Sequence, residues 1–272
     1  MIRRAFHITG RHALIYLALG ITIFPFFWMV LASFQLNVDI LNVQKGLFDF
    51  VPTLKNYDTV FEKYHFITPI RNSLFVASLS TGFALLLGLP AAYSVARYKF
   101  RKLSLMVLVV RMIPGITFLV PWYMLFLRVK LTNTFTALVL THMLIALPLI
   151  VWIMVPFFEN LPSALEDAAW VDGSSKAGAF FRIVLRVSVP GIISASMLAF
   201  IFSWNNFMFS LVLSGAKTVT LPIAIYGFVS YASVDWGGLM AAAVVITTPI
   251  ILLSLLLQRY IVSGLTAGAI KG

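Results

Sequence analysis

The chain has 272 residues, of which 61% are apolar or aromatic and only 11% are charged, with a mean hydropathy of +0.98. A soluble domain carries about 25% charge, so these values exclude one, and they exclude disordered and disulfide-stapled chains as well. The net charge of +11 comes from 20 Lys and Arg against 9 Asp and Glu; no basic face lies outside short loops, so the excess reads as the basic bias of cytoplasmic loops and not as a nucleic-acid surface.

A spanning helix needs about 20 consecutive apolar residues. Six segments qualify: 13–34, 72–96, 103–127, 135–158, 187–213 and 236–257. Only the third contains a charge, Arg111. The first is too long for a signal-peptide core and no A-x-A site follows it, so it is predicted to remain as a span. The pattern predicts an all-α membrane protein, one unit of six transmembrane helices over residues 1–272.

Lys and Arg in the loops set the orientation. Twelve fall on the side of the N-terminus, including the cluster Arg97, Lys99, Arg101 and Lys102, and seven fall on the other. Both termini are therefore predicted to be cytoplasmic. Two connections are long. Segment 35–71 lies outside and is polar, whereas 159–186, between the fourth and fifth helices, lies inside. A third segment, 214–235, lies outside. Its apolar stretch 221–233 is too short to cross and reads as interfacial or re-entrant.

Proline occurs in almost every span, at Pro25, Pro90, Pro114, Pro121, Pro148, Pro156, Pro190 and Pro249. Each frees a carbonyl and bends its helix, which suits a protein that rearranges around a pathway. Ala84, Gly88 and Ala92 recur every fourth residue in the second span, a spacing for close helix packing.

The inside loop carries the most local information. Pro162 ends the preceding helix, and Ser163 with Glu166 three residues on predicts a capping box. Gly173 is the predicted stop. Leu165, Ala168 and Ala169 fall on one face, and alanine there suits a helix that lies deep in a groove of a partner. A second helix is predicted from Ser174 or Ser175 through Phe180, Phe181, Ile183 and Leu185. The four acids Glu159, Glu166, Asp167 and Asp172 argue against rest on the negative inner leaflet. The loop is thus a cytoplasmic helix-turn-helix that docks on a soluble partner.

This loop resembles the coupling loop of permease subunits of binding-protein-dependent ABC importers, which carries E-A-A-x3-G-x9-I-x-L-P. Asp167-Ala168-Ala169 stand at E-A-A, with Glu166 beside them, then Gly173, Ile183 and Leu185; Arg186 stands in place of the proline. Further pieces are similar to the carbohydrate-uptake group, in particular its maltose-type second permease: Asn56-Tyr57, Arg71-Asn72-Ser73-Leu74, Ala91-Ala92-Tyr93-Ser94-Val95-Ala96-Arg97, Met112-Ile113-Pro114, Trp204-Asn205-Asn206-Phe207 and the tail Gly264-Leu265-Thr266-Ala267-Gly268-Ala269-Ile270-Lys271-Gly272. The resemblance implies a multi-pass protein of a bacterial or archaeal inner membrane, half of a heterodimer with a homologous permease. Two ATPase subunits would hold ATP and Mg, and a periplasmic or lipid-anchored binding protein would deliver a sugar or sugar derivative. This chain would bind no cofactor or metal. Its coupling residues would be Glu166, Asp167, Ala168, Ala169, Asp172, Gly173 and Ile183.

Polar residues within the spans are the candidates for a substrate pathway or gate. Trp204, Asn205 and Asn206 sit near the middle of the fifth, where amides must bond across helices or line a wet cavity. Arg111 lies about 12 Å into the third, either snorkelling or facing a pathway. His142 in the fourth is either a satisfied structural residue or a pathway group. No phosphate-binding glycine loop, metal-ligand spacing or paired nucleophile and base is present, so the chain is not predicted to be an enzyme. An ion-coupled secondary carrier would want acids within its spans, and all 9 lie outside. A non-transporting assembly or sensor subunit on the same scaffold stays open.

Overall fold

The structure is a computed structural model that describes residues 2–230 and 233–266. The end of the tail motif, 267–272, lies outside the described residues. Among the described residues there is no strand, and the only β pairing is an isolated bridge between Val229 and Val234. The long helices are α1 (Ile2–Ser33), α2 (Ile67–Tyr98), α3 (Arg101–Met112), α4 (Leu119–Arg128), α5 (Phe135–Glu159), α6 (Ala164–Val171), α7 (Lys176–Val187), α8 (Val189–Trp204), α9 (Met208–Leu213) and α10 (Trp236–Thr266). The described residues fall into two compact units, one within Met1–Phe66 and Ile225–Thr248, the other within Ile67–Ala224 and Pro249–Gly272.

Four helical stretches are long and apolar enough to cross a membrane unbroken: His12–Ser33, Ile67–Tyr98, Phe135–Glu159 and Trp236–Arg259. The third predicted span is not one helix. It breaks into α3 and α4, with an 89° bend between Lys102–Met112 and Gly115–Arg128. Pro114 explains the break, because it cannot donate to the ladder and forces Ile113 into an extended conformation, ψ 122°. The fifth predicted span, 187–213, also differs. Its first residues belong to α7, which meets α8 at 78°, and α8 itself ends at Trp204. Pro190 sits in the first turn of α8, where a missing N–H costs nothing. Pro25, Pro90, Pro148, Pro156 and Pro249 stay inside continuous helices.

In the first unit, polar side chains fasten the segments that follow α1. The buried Asn56 amide donates to the carbonyls of Ser33 and Gln35, both at 2.8 Å. Asn37 donates to the Asp235 carboxylate at 3.0 Å and accepts from the Gly237 N–H at 2.8 Å. Asp235 also accepts from the Gly238 N–H and so caps α10. Phe228 packs against Tyr64 and Phe66, with ring centroids 4.3 and 5.7 Å away. Of the apolar stretch predicted from 221, Ile225–Phe228 forms a 3-10 turn in this unit, and the short helix Leu221–Ala224 belongs to the second.

The second unit is built on the pair α2 and α5, its most extensive helix contact. Lipid tails are as apolar as leucine, so burial of oily surface does not drive this pairing; close packing and interhelical bonds do. The small stripe Ala84, Gly88, Ala92 is buried, as the spacing requires, and Ile150 and Met154 of α5 belong to the same core. Asn72 donates to the carbonyls of Lys217 and Val219 at 3.1 and 2.8 Å, and Ser73 Oγ accepts from the Leu221 N–H at 2.8 Å. The Arg71–Leu74 piece is therefore a clamp on the 217–221 segment.

Gly191 lets α8 come close to α5: a Cβ there would stand 2.7 Å from the Phe157 ring. Replacing Gly191 by leucine forces a large side chain into that contact, and overpacking costs about 1–3 kcal/mol or more. Expected is a several-fold drop in detergent-extracted, monodisperse protein. Unchanged yield and melting temperature by fluorescence size exclusion would count against this packing.

Candidate functional site

The loop 159–186 folds as two helices, α6 and α7, joined by a tight turn. Gly173 ends α6 with φ +82°, a conformation that costs an L-residue about 1–2 kcal/mol. Its N–H bonds the Trp170 carbonyl at 3.0 Å, and the Ser174 N–H bonds that of Ala169 at 2.8 Å. These two bonds form a Schellman stop, as the glycine predicted. Ser175 then caps α7 by accepting from the Gly178 N–H at 3.0 Å. Residues Phe180–Val184 form a π turn inside α7, and Phe180 and Val184 are buried in the core of α2, α5 and α8. Ile183 is half-buried on the same turn.

The predicted capping box does not form. Ser163 has helical φ and ψ and its side chain makes no cap bond. Glu166 is drawn away instead, because a charge-assisted pair outweighs a cap hydrogen bond. Its carboxylate accepts from Arg97 Nε at 2.7 Å and from the Tyr93 hydroxyl at 2.7 Å, and Arg97 Nη2 lies 2.6 Å from Oε1. The Arg97 fork also donates to the Leu161 carbonyl at 3.1 Å. The pair is enclosed, with side chains only 16% and 4% exposed. The Tyr93 ring packs on Phe180 at 4.7 Å and on Phe158 at 5.9 Å. Thus the end of α2 grips both helices of the loop.

This grip divides α6 into two faces. Glu166 and Ala169 turn inward and are buried. Ala164, Leu165, Asp167, Ala168, Val171 and Asp172 are exposed, Val171 at 88%. The predicted face of Leu165, Ala168 and Ala169 is therefore split: Ala169 packs on the chain itself, and the outward stripe is Ala164, Leu165, Ala168 and Val171. Lys176 lies 5.8 Å from the Trp170 ring and 6.0 Å from that of Tyr98, closing the turn by cation–π contact.

The pathway candidates occupy unlike surroundings. Trp204 is buried and stacked on Phe200 at 5.8 Å. Asn205 is the exposed residue that caps the C-terminal end of α8, and Asn206 accepts from the Phe209 N–H at 3.2 Å, starting α9. The tripeptide is a helix break and not the middle of a continuous span. Arg111 lies in the last turn of α3, where the helix dipole favours a cation, and its guanidinium lies 4.2 Å from the exposed Trp152 ring. His142 is buried; its Nδ1 lies 2.8 Å from Ser203 Oγ, itself 3.0 Å from Ser80 Oγ. That row links α5, α8 and α2 through Nδ1, while His142 Nε2 is buried without a hydrogen-bond partner among the described residues. Arg97, Tyr93, Ser80 and Ser203 are the partners that sequence reasoning did not place.

A long paired α2–α5 core, broken flanking helices and a short helix-turn-helix after α5 make up the fold of an ABC-type permease. The fold matches the crystal structure of a bacterial ABC transporter involved in import of the acidic polysaccharide alginate, with a TM-score of 0.79 over 94% of this chain and 96% of that one, at 16% identity. The chain belongs to the family described as binding-protein-dependent transport system inner membrane component, whose model matches residues 84–267. Among its relatives, the trehalose/maltose transport system permease protein MalG of Thermococcus litoralis is 36% identical over 93% of this chain and 92% of its own length. The sulfoquinovosyl glycerol transport system permease protein SmoH of Agrobacterium fabrum is 34% identical over 92% and 89%.

Proposed function

We propose that this chain is one half of the transmembrane permease of an ATP-driven importer for a sugar or sugar derivative. The observation that carries this reading is α6: one face is locked to the chain by a buried ion pair, while the other leaves an apolar residue, Val171, 88% exposed beside two acids. Such a helix suits a groove on an ATPase subunit. The bent pair α3 and α4 then counts as the third of six spans and α8 with α9 as the fifth, with α7, both termini and the rest of the loop cytoplasmic. ATP and Mg sit on two separate ATPase subunits, a homologous permease completes the pathway, and a binding protein loads it from outside. Closure of the ATPases moves α6, and the Glu166–Arg97 pair passes that motion to α2, switching access between the two sides.

The sugar assignment rests on the relatives, whose named cargoes are both neutral and anionic. In this reading His142 and Trp204 hold helices together, and Asn205, Asn206 and Arg111 stand where chain breaks open the bundle. Coexpression with the neighbouring permease and ATPase, and reconstitution with the binding protein, test it directly. ATP turnover should rise only with binding protein plus one member of a sugar panel. Failure to coassemble with any ATPase would overturn the proposal.

Orientation is tested separately. The chain has no cysteine, so single cysteines report cleanly. Lys217→Cys should be labelled by an impermeant maleimide from outside and Ser175→Cys only after permeabilisation. The reverse pattern would invert the topology.

A further inference from the structure

A cavity of about 590 Å³ opens where α2 ends, α3 begins and the loop leaves α5; Arg97, Lys99, Phe100, Ser104, Glu159 and Ser163 line it. Its volume is that of a small-ligand site. We propose that this cavity binds the headgroup of an anionic phospholipid.

Three features of the chain point to that chemistry. The first is charge. Arg97 and Lys99 line the cavity, and Lys102 lies in the first turn of α3. Arg97 and Glu166 pair with each other and cancel, which leaves Lys99 and Lys102 as the two cations against the single Glu159 carboxylate facing the site. Basic pockets between membrane helices on the cytoplasmic side are suited to phosphate-bearing headgroups.

The second feature is the backbone. Lys99 takes φ +52°, so α2 reverses directly into α3, and Phe100 offers no side chain to cap the first turn. The 12-residue α3 therefore presents an uncapped positive dipole end beside the two cations.

The third is depth and polarity. The cavity lies at the same end of α2 and α5, both long enough to span, which is the level of the headgroups. Val95, Ala96 and Phe100 supply an apolar wall, and Ser104 and Ser163 supply hydroxyls for the glycerol oxygens. Down α3 the exposed Leu105, Met106 and Val109 give acyl chains a greasy track. A free phosphate would use the cations alone; a phospholipid uses the wall and the track too. Ser163 precedes α6 and Arg97 holds it, so an occupied cavity braces the docking helix. Placing the lipid in the inner leaflet rests on the orientation proposed above; its chemistry does not.

The test uses the full-length chain, alone and coexpressed with its permease and ATPase partners, in nanodiscs of phosphatidylcholine with or without phosphatidylglycerol. Native mass spectrometry counts retained lipid for wild type and for Lys99→Asn with Ser104→Ala. Asparagine tolerates the left-handed turn, so this variant removes the charge without disturbing the reversal. Expected is selective retention of phosphatidylglycerol by wild type, reduced several-fold in the variant, with inorganic phosphate unable to compete. Equal retention by the two proteins, or displacement by inorganic phosphate, overturns the proposal. Lipid counting needs no ATP turnover, so failure of the importer reading would show as absent turnover with lipid retention intact.

Discussion

Replacing Glu166 by alanine should lower substrate-driven ATP turnover and uptake by about tenfold or more, as a loss of about 1.4 kcal/mol or more in coupling would. The variant leaves the Arg97 guanidinium facing a cavity it was built to share, with only the Leu161 carbonyl remaining as a partner. Removing one member of a buried pair costs roughly 3–5 kcal/mol. Arg97 keeps 16% exposure, so water reaches it and the lower part of that range applies. The energy is concentrated on the attachment of α6 to α2, and so the loop should swing free while the spans remain folded. Glu166→Gln retains an acceptor for Tyr93 and should lose less. Arg97→Met combined with Glu166→Leu removes both charges and should recover stability but not full coupling, because two methyl-tipped side chains lack the fixed geometry of the fork. The readout is a double-mutant cycle on melting temperature and on uptake in proteoliposomes. Wild-type uptake by Glu166→Ala would refute a mechanical role for the pair.

Residue by residue, the legibility of this site follows the range of the forces. The turn at Gly173 was readable because its cause is local: a left-handed residue after a helix demands glycine, and two backbone bonds within five residues complete the motif. The start of α7 at Ser175 was readable for the same reason. The fate of Glu166 was not. A capping box looks identical in sequence whether or not its glutamate finds a stronger partner, and here that partner stands on a different helix, 69 residues earlier. The inward face of α6 shares this blindness, since spacing names a stripe of small residues but not the side on which the rest of the chain lies.

The spans divide in the same way. Hydropathy located α1, α2, α5 and α10 because each is one uninterrupted apolar helix. It ran straight through the 89° corner at Pro114 and the break at Asn205–Asn206, because a window average records oiliness and not chain direction. Proline at 114 was visible, yet Pro90, Pro148 and Pro249 look no different in sequence and break nothing. The difference lies in the surroundings. Pro90 and Pro148 lie within the α2–α5 pair, where packing holds the helices straight, whereas α3 is exposed along most of its length and has little to oppose a bend. His142 follows the same logic. Its type left a structural and a pathway reading both open, and only the neighbours Ser203 and Ser80 reveal a polar row between helices.

On the outer face of α6, Val171→Asp should abolish copurification of the ATPase subunit and hence uptake, while the permease still inserts and extracts normally. Val171 is 88% exposed and makes no part of the grip on α2, so its loss cannot unfold this chain. In the proposed groove it would be buried. Burial of a valine is worth about 1.5–3 kcal/mol, and a carboxylate buried without a partner reverses that sign and adds several kcal/mol of desolvation. Asp167→Lys tests the same face through charge, and a basic groove would reject it. Gly173→Leu acts differently: strain at φ +82° loosens the turn behind the helix, so coupling should fall while some ATPase still binds. A graded series follows, with assembly lost at Val171 and Asp167 but retained and idle at Gly173. If Val171→Asp copurified the ATPase at wild-type stoichiometry, the outward stripe of α6 would not be the docking face, and the ion pair beneath it would be holding a surface with no partner.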